Sequence, residues 1–387
     1  MITTLHRRLL SLLAALVVAL AALVAVPAVS SAATFKILVF SKTTGFRHSS
    51  IPAGVAAIKK LGVDNGFTVD ATEDDSLFTD TNLAQYKAVV FLSTTGDPVT
   101  TQGRKDAFQR YIKAGGGFVG IHAASDSGTA WSWYGGLVGA YFKTHPAQQN
   151  ASVRVEDPTH PSTSGIAAQV TRFDEWYDFT TNPRGSVRVL ANVDNASYTG
   201  STMGADHPIT WCKNYDGGRS WYTAMGHTDA SFTEAYFLTS LLGGIRSAAG
   251  QVAADCSIPP VISLKAKVNS KYVSADNAGA SALIANRATI GPWEKFDRIN
   301  LAGGKVALRS YANNKFVSAA NATTSLIANH ATIGATSSFG LITNTDGTVA
   351  LTASNGKYVC AENAGGSALI ANRGAIGNWE RFFLTVN

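Results

Sequence analysis

Six histidines fall between Phe35 and Gly250, at His48, His122, His145, His160, His207 and His227. Most stand beside other groups that move protons or bind cations: Gly45-Phe-Arg-His48, His122-Ala-Ala-Ser-Asp126, Asp174-Glu175-Trp176-Tyr177, Asp206-His207-Pro208 and Gly226-His227-Thr-Asp229. Neutral imidazoles with one carboxylate suit zinc or a similar divalent ion, and His122, His145, Glu175 and His227 form the expected ligand set. No HExxH or comparably close spacing is present, so such ligands must converge through the fold. Metal-free acid–base catalysis draws on the same residue types, because an imidazole titrates near neutrality and burial raises a glutamate toward proton donation. In that reading His122, Glu175, His48, His227, His207 and Asp126 carry the chemistry. Trp133, Tyr134, Trp176 and Tyr177 would wall in a sugar ring, and Arg47 and Arg219 would bind hydroxyls or a carboxylate. The third reading is structural: histidines after strands also cap loops, and Asp206-His207-Pro208 suits a turn. All three stay open. His160, in Asp157-Pro-Thr-His160-Pro161, reads as part of a turn.

The elements that must position these groups alternate in period. Apolar runs over 35–40, 88–93 and 118–122 and the Thr-rich run 68–72 read as strands. Helical patterns cover 51–65 and 101–114. Continuous apolar strands between helices predict a doubly wound parallel sheet, covered on both faces, with ligands bound at the strands' carboxyl ends. Gly115-Gly116-Gly117 ends a helix before a strand, the reverse of a phosphate-cradling loop.

The last third of the chain repeats itself. Leu-Ile-Ala-Asn recurs with Ile284, Ile327 and Ile370 at a spacing of 43 residues. Each copy follows a Lys-aromatic-Val segment, at Lys271, Lys315 and Lys357. Three short-stranded units of this length predict a closed, threefold β structure with the Ile, Leu and Phe repeats in its core. Asn277, Asn321 and Asn363 are candidates for hydroxyl binding or for turns. Trp293 and Trp379 are candidates for stacking on pyranose rings or for closing the barrel.

Two resemblances follow from these motifs. Gly-Phe-Arg-His, Gly-Gly-Phe-Val-Gly-Ile-His-Ala, Asp-Glu-Trp-Tyr, Asp-His-Pro-Ile-Thr-Trp and Met-Gly-His-Thr resemble the ThuA-like (trehalose utilisation) family across nearly the whole first domain. That family is similar in fold to class I glutamine amidotransferases, which implies a flavodoxin-like sheet. Their nucleophilic cysteine sits on a turn matched here by His122 and Ala123. Thiol chemistry is therefore not expected. The repeats resemble fascin-like β-trefoil modules of secreted carbohydrate-active proteins. Together the resemblances imply hydrolysis, lyase action or isomerisation of a glycoside, with a module that grips glycan. The alternative is a non-catalytic glycan-binding protein.

Composition bounds the rest. The net charge of +6 is spread along the chain without a basic stripe, so nucleic acid is not an expected partner. Arg7-Arg8, an apolar run to Val26 and a small-residue exit read as a signal peptide over 1–33, which implies secretion. A retained anchor is the rival reading. Of three cysteines, Cys212 and Cys256 are positioned to pair in an oxidising compartment, and Cys360 replaces a serine of the other repeats as a buried filler. The expected organisation is an α/β domain over 34–250, a linker over 251–260 and the β repeats over 261–387. A monomer with a saccharide or polysaccharide partner, and with no membrane contact after cleavage, is the expected state.

Overall fold

The computed structural model describes residues 35–387. The expected signal segment, 1–33, lies outside them. Among the described residues no helix is long and apolar enough to cross a membrane.

The α/β domain opens with β1 (Lys36–Phe40), α1 (Ile51–Asn65) and β2 (Thr68–Thr72). A short helix α2 (Asp80–Leu83), then β3 (Ala88–Leu92), α3 (Gln102–Lys113) and β4 (Gly117–Ile121) follow. Every residue of β3 and β4 is buried, as strands covered on both faces require. Helix α1 starts with Pro52 in its first turn and stops where Gly66, at φ 74, donates its N–H to Gly62 O. The chain continues through α4 (Ser132–Val138), β5 (Phe142–Thr144), β6 (Gln149–Val155), β7 (Gln169–Asp174) and β8 (Asp178–Phe179). It then runs through β9 (Arg188–Val193), β10 (Pro208–Tyr215), β11 (Gly218–Thr223) and α5 (Ala235–Ala248).

The main sheet has the order β2-β1-β3-β4-β11-β10-β9-β6-β7. The doubly wound parallel expectation holds only for β2 to β11, and each later neighbour pairs antiparallel. The cause is connection length. Asp216 and Gly217, at φ 48 and 89, make a two-residue hairpin turn between β10 and β11, and no α-helix crosses between β6 and β7. Strands β4, β11 and β7 nevertheless point the same way, so their carboxyl ends share one edge.

After α5 no strand or α-helix forms until Val261. Cys256, in that stretch, is disulfide-bonded to Cys212 of β10, with Cα atoms 5.4 Å apart. The remaining chain is all β. Four strands fall in each repeat: β12 (Val261–Ala266), β13 (Tyr272–Ala275), β14 (Leu283–Arg287) and β15 (Phe296–Asn300) in the first. The second holds β16 (Lys305–Ser310), β17 (Phe316–Ser318), β18 (Ile327–His330) and β19 (Phe339–Thr343). The third holds β20 (Val349–Thr352), β21 (Tyr358–Ala361), β22 (Leu369–Arg373) and β23 (Phe382–Val386). Bridges Ala282–Ile327, Ser325–Ile370 and Ile284–Ala368 close the three units in a cycle. Leu283, Leu326 and Leu369 form the core with Phe296, Phe339 and Phe382. Ile284, Ile327 and Ile370, expected in the core, are only half-buried, because a strand alternates faces and their leucine neighbours take the inner one. Cys360 is a free, buried thiol. Burial and its contact with Glu380 push its pKa up, which suits a filler and not a nucleophile.

Candidate metal centre

Four of the candidate residues meet at the shared strand edge. His48 lies in the loop after β1, His122 directly follows β4, Glu175 directly follows β7, and His227 stands four residues beyond β11. Their ligand-type atoms all lie within 4.8 Å of one another. β4 and β11 pair in register up to Ile121 and Thr223. The next residues are therefore adjacent, and His122 Nδ1 meets Ala224 O at 2.7 Å. With a carbonyl as partner that nitrogen carries the proton, so Nε2 presents its lone pair to the cluster. His122 adopts φ 50, an uncommon left-handed conformation for a side-chain-bearing residue, on the turn that the resemblance had marked.

Flat geometry does not explain the meeting. Between β7 and β11 stand four strand spacings, about 19 Å, yet Asp174 at the end of β7 accepts the backbone N–H groups of Gly226 and His227 at 2.9 and 3.0 Å. The antiparallel half of the sheet therefore curls back over the parallel half. Asp174 is fully buried and also pairs with buried Arg172, which reaches Glu234 at 2.8 Å.

Within the cluster His122 Nε2 lies 3.1 Å from His227 Nδ1, and Glu175 Oε2 lies 3.4 and 3.0 Å from them. His145, following β5, approaches Glu175 Oε1 at 3.2 Å and is the most solvent-open of the five side chains. The β5–β8 pairing holds it there beside Tyr177, whose ring lies 4.3 Å from that of His122. Burial, aided by His122 and His227, pushes the His48 pKa down to about 3, so this ring is neutral. Burial alone would raise Glu175, but its close contacts with the His122 and His227 rings outweigh it and hold the carboxyl below its ordinary range. Burial lowers His227, but Glu175 outweighs it and the net shift is upward. Glu175 is thus a standing anion, which corrects its expected role as a proton donor.

The donor set fits a divalent cation. His48 Nδ1 is buried without a hydrogen-bond partner, an expensive state for an imidazole nitrogen that a bound ion would relieve. Three imidazoles with one carboxylate match zinc-type preferences.

The other expected site residues lie elsewhere. His207 is buried between Tyr177 O, Tyr198 and Asn195, and burial lowers its pKa. Asp126 is half-buried, and burial raises its pKa. Trp176 is fully buried with its Nε1–H on Gln149 O, and Tyr134 is a core residue bonded to Ala124 O, so neither offers a face to a sugar. Trp133 bonds Asp216 in the turn before β11. Arg219 sits beside Gly117 at the amino ends of β11 and β4, a strand length from the cluster, bonding Ala248 O and Gly115 O. Arg47 forms an exposed ion pair with Glu73. In the repeats Asn277 and Asn363 occupy left-handed turn positions, and Asn321 accepts from Thr323 and Thr324. Trp293 and Trp379 are half-buried beneath Arg287 and Arg373.

Sequence reasoning missed Gln148, whose amide meets His227 Nε2 at 2.8 Å, and Phe46, which is 68% exposed with its ring 4.9 Å from that of His48. Gln148 carried no motif signal. Phe46 stood inside Gly-Phe-Arg-His and was legible there.

Fold and site together define an α/β protein with a histidine–glutamate ligand cluster at the carboxyl edge of its sheet. The chain belongs to the ThuA family, trehalose utilisation, whose sequence model matches residues 36–248. Similar solved structures include a ThuA-like protein of Bacteroides uniformis, at 28% identity over 56% of this chain and 92% of that one, TM-score 0.49. A ThuA-like protein of Parabacteroides merdae is 21% identical over 58% and 93%, TM-score 0.50. A designed threefold-symmetric protein, ThreeFoil, is 24% identical over 33% and 98%, TM-score 0.30. No curated protein matches the chain.

Proposed function

We propose that this chain is an exported carbohydrate-active protein whose ThuA domain modifies a glycoside or keto-sugar at the His48–His122–Glu175–His227 cluster. Its all-β region, read as a fascin-like β-trefoil, holds a glycan nearby. The observation that carries the reading is the convergence of these four side chains, from four separate loops, within 4.8 Å. A divalent cation held by them would polarise a sugar carbonyl or hydroxyl oxygen.

The chain's own residues supply the rest. His145 is the solvent-open imidazole of the group and carries protons between bound sugar and water. Exposed Phe46 offers a flat apolar face for a pyranose. Asp174 fixes the His227 backbone, and Gln148 holds the far nitrogen of its ring. One carboxylate belongs to the cluster and Asp174 is locked by Arg172, so chemistry at a polarised sugar oxygen is favoured over the paired-carboxylate route to glycoside hydrolysis. The β-trefoil reading draws on the four strands per repeat and the cyclic bridges. Export draws on the basic-apolar-small N-terminus and agrees with the Cys212–Cys256 disulfide.

The test is product formation from di- and oligosaccharides, native and 3-keto, with and without chelator, read by mass spectrometry. Product that disappears with chelator and in His122→Ala supports the reading. No product from any substrate, with glycan retention intact, replaces it with a binding protein.

A further inference from the structure

The three repeats share one architecture but not one set of surface residues. All three inner hairpins pair in the same register with the same irregularity: Val273–Ala285, Val317–Ala328 and Val359–Ala371. All three close the following turn with a side chain on a glycine N–H: Glu294 on Gly291, Ser337 on Gly334 and Glu380 on Gly377.

Upon this frame the first and third repeats carry a constellation that the second lacks. In the first, Asp276 pairs with Arg287, Asn286 reaches Asp276 at 3.5 Å, and the Arg287 guanidinium lies 5.7 Å from the Trp293 ring centre. In the third, Glu362 pairs with Arg373 at 2.8 Å, Asn372 donates to Glu362 at 2.9 Å, and Arg373 lies 5.9 Å from the Trp379 ring centre. The second repeat has Ala320, His330 and Thr336 at the acid, arginine and tryptophan places. The second repeat therefore works as an internal control: the hairpin, turn cap and core all form without those three side chains.

What they offer instead is recognition. Each carboxylate and guanidinium is partly exposed, and each tryptophan is half-buried. Asn372 Oδ1 is buried without a hydrogen-bond partner. Carboxylate, amide and guanidinium beside an aromatic face match vicinal hydroxyls and the C–H face of a pyranose. Counting Glu294 and Glu380, each site has two carboxylates against one guanidinium, which disfavours an acidic sugar. The matching face of the second repeat is spent differently. Asn329 and Ala331 line a cleft of 480 Å³ together with Arg154, Asp194 and Asp206 of the α/β domain.

We infer that the all-β region binds neutral hexopyranose units at two sites, Asp276–Asn286–Arg287–Trp293 and Glu362–Asn372–Arg373–Trp379, and is blind in its second repeat. The inference rests on the glycan-holding part of the proposed function and fixes its residues and valency. Two sites on one rigid body also engage a polymer together, which multiplies retention.

The experiment uses the intact chain on immobilised starch, cellulose, mannan and galactan, with pectate as the acidic comparison, and counts sites by calorimetry with oligosaccharides of any neutral polymer that retains it. Trp293→Thr and Trp379→Thr install the residue that the second repeat tolerates, and Asp276→Ala with Glu362→Ala is the parallel pair. Expected are two sites in the native chain, one in each single variant with retention on polymer falling about tenfold or more, none in the double variant, and unchanged melting. Retention of the native chain that survives both double variants overturns the site assignment while leaving glycan binding in place. Retention by pectate in preference to the neutral polymers overturns the ligand class. No retention on any support overturns both this inference and the glycan-holding reading, without touching the ThuA cluster, whose His122→Ala test is separate.

Discussion

His122 Nε2 and His227 Nδ1 stand 3.1 Å apart and share Oε2 of Glu175 as a common neighbour. Two ring nitrogens facing one carboxylate oxygen over so short a span make a ready claw for a cation. Beside them His48 Nδ1 is buried and unbonded.

Metal content checks this directly. The purified chain, dialysed against zinc and then buffer, is expected to retain about one equivalent by elemental analysis, given the convergence of three imidazoles and a carboxylate. Glu175→Gln and His48→Ala are expected to lose it. Gln148→Ala, which removes only the partner of the outer His227 nitrogen, is expected to weaken binding by about 10- to 100-fold. Full retention in Glu175→Gln would put the ion elsewhere.

The scaffold behind the cluster is equally testable. Asp174 is buried, pairs with Arg172 and accepts two backbone N–H groups at Gly226 and His227. Asp174→Ala strands the Arg172 charge, and a loss of about 3–5 kcal/mol is expected in urea unfolding. Asp174→Asn keeps the shape but offers an N–H where an acceptor is needed, and is expected to cost less in stability while displacing His227. A variant as stable as the native chain would show that Arg172 is satisfied by Glu234 alone.

How much of this was legible in the chain follows from the range of each interaction. The strands from β1 to β4 and helices α1 and α3 are local events, written in apolar runs, in the helical patterns over 51–65 and 101–114 and in the Gly115 stop, and the sequence shows them. His122 was legible because it directly follows a strand that ends at a binding edge, and His227 because it stands in the motif Gly226-His227-Thr-Asp229. The curl that brings Glu175 from the far side of the sheet was not, since it depends on pairings among β6, β7, β9 and β10 that no local pattern specifies. For the same reason Trp176 passed for a sugar platform. Its neighbour Glu175 faces the cluster, while a one-residue step along the chain turns Trp176 into the core. Arg219 was misplaced because β11 was not foreseen as a parallel neighbour of β4, which sends its first residues to the opposite edge.

The disulfide gives a stability prediction. Cys212–Cys256 closes a loop of 44 residues, ties the stretch after α5 to β10, and lies next to His160. Loop-closure entropy puts its contribution at about 4 kcal/mol. Cys212→Ser with Cys256→Ser is expected to lower the urea midpoint accordingly, and reductant is expected to do the same to the native chain and nothing further to the variant. Equal midpoints would mean that the Arg188–Asp255 and Arg188–Asp157 pairs already fix this stretch.

His160 gives the pH dependence. It is almost completely buried, bonded through Nδ1 to Ser162, and burial lowers its pKa from 6.5 to about 4. The unfolded chain therefore binds a proton here at a pH where the folded chain does not. The sign follows: stability is fully present above about pH 6.5, falls as the pH drops below it, and levels off once the pH passes below about 4, where both states are protonated. A shift of this size corresponds to a loss of about 3 kcal/mol across the window. His160→Gln keeps a hydrogen-bonding side chain without the titration. Its unfolding free energy is expected to be flatter than that of the native chain between pH 6.5 and 4, and the difference between the two curves isolates His160 from His48 and His207. Parallel curves would mean that the folded chain protonates His160 without opening.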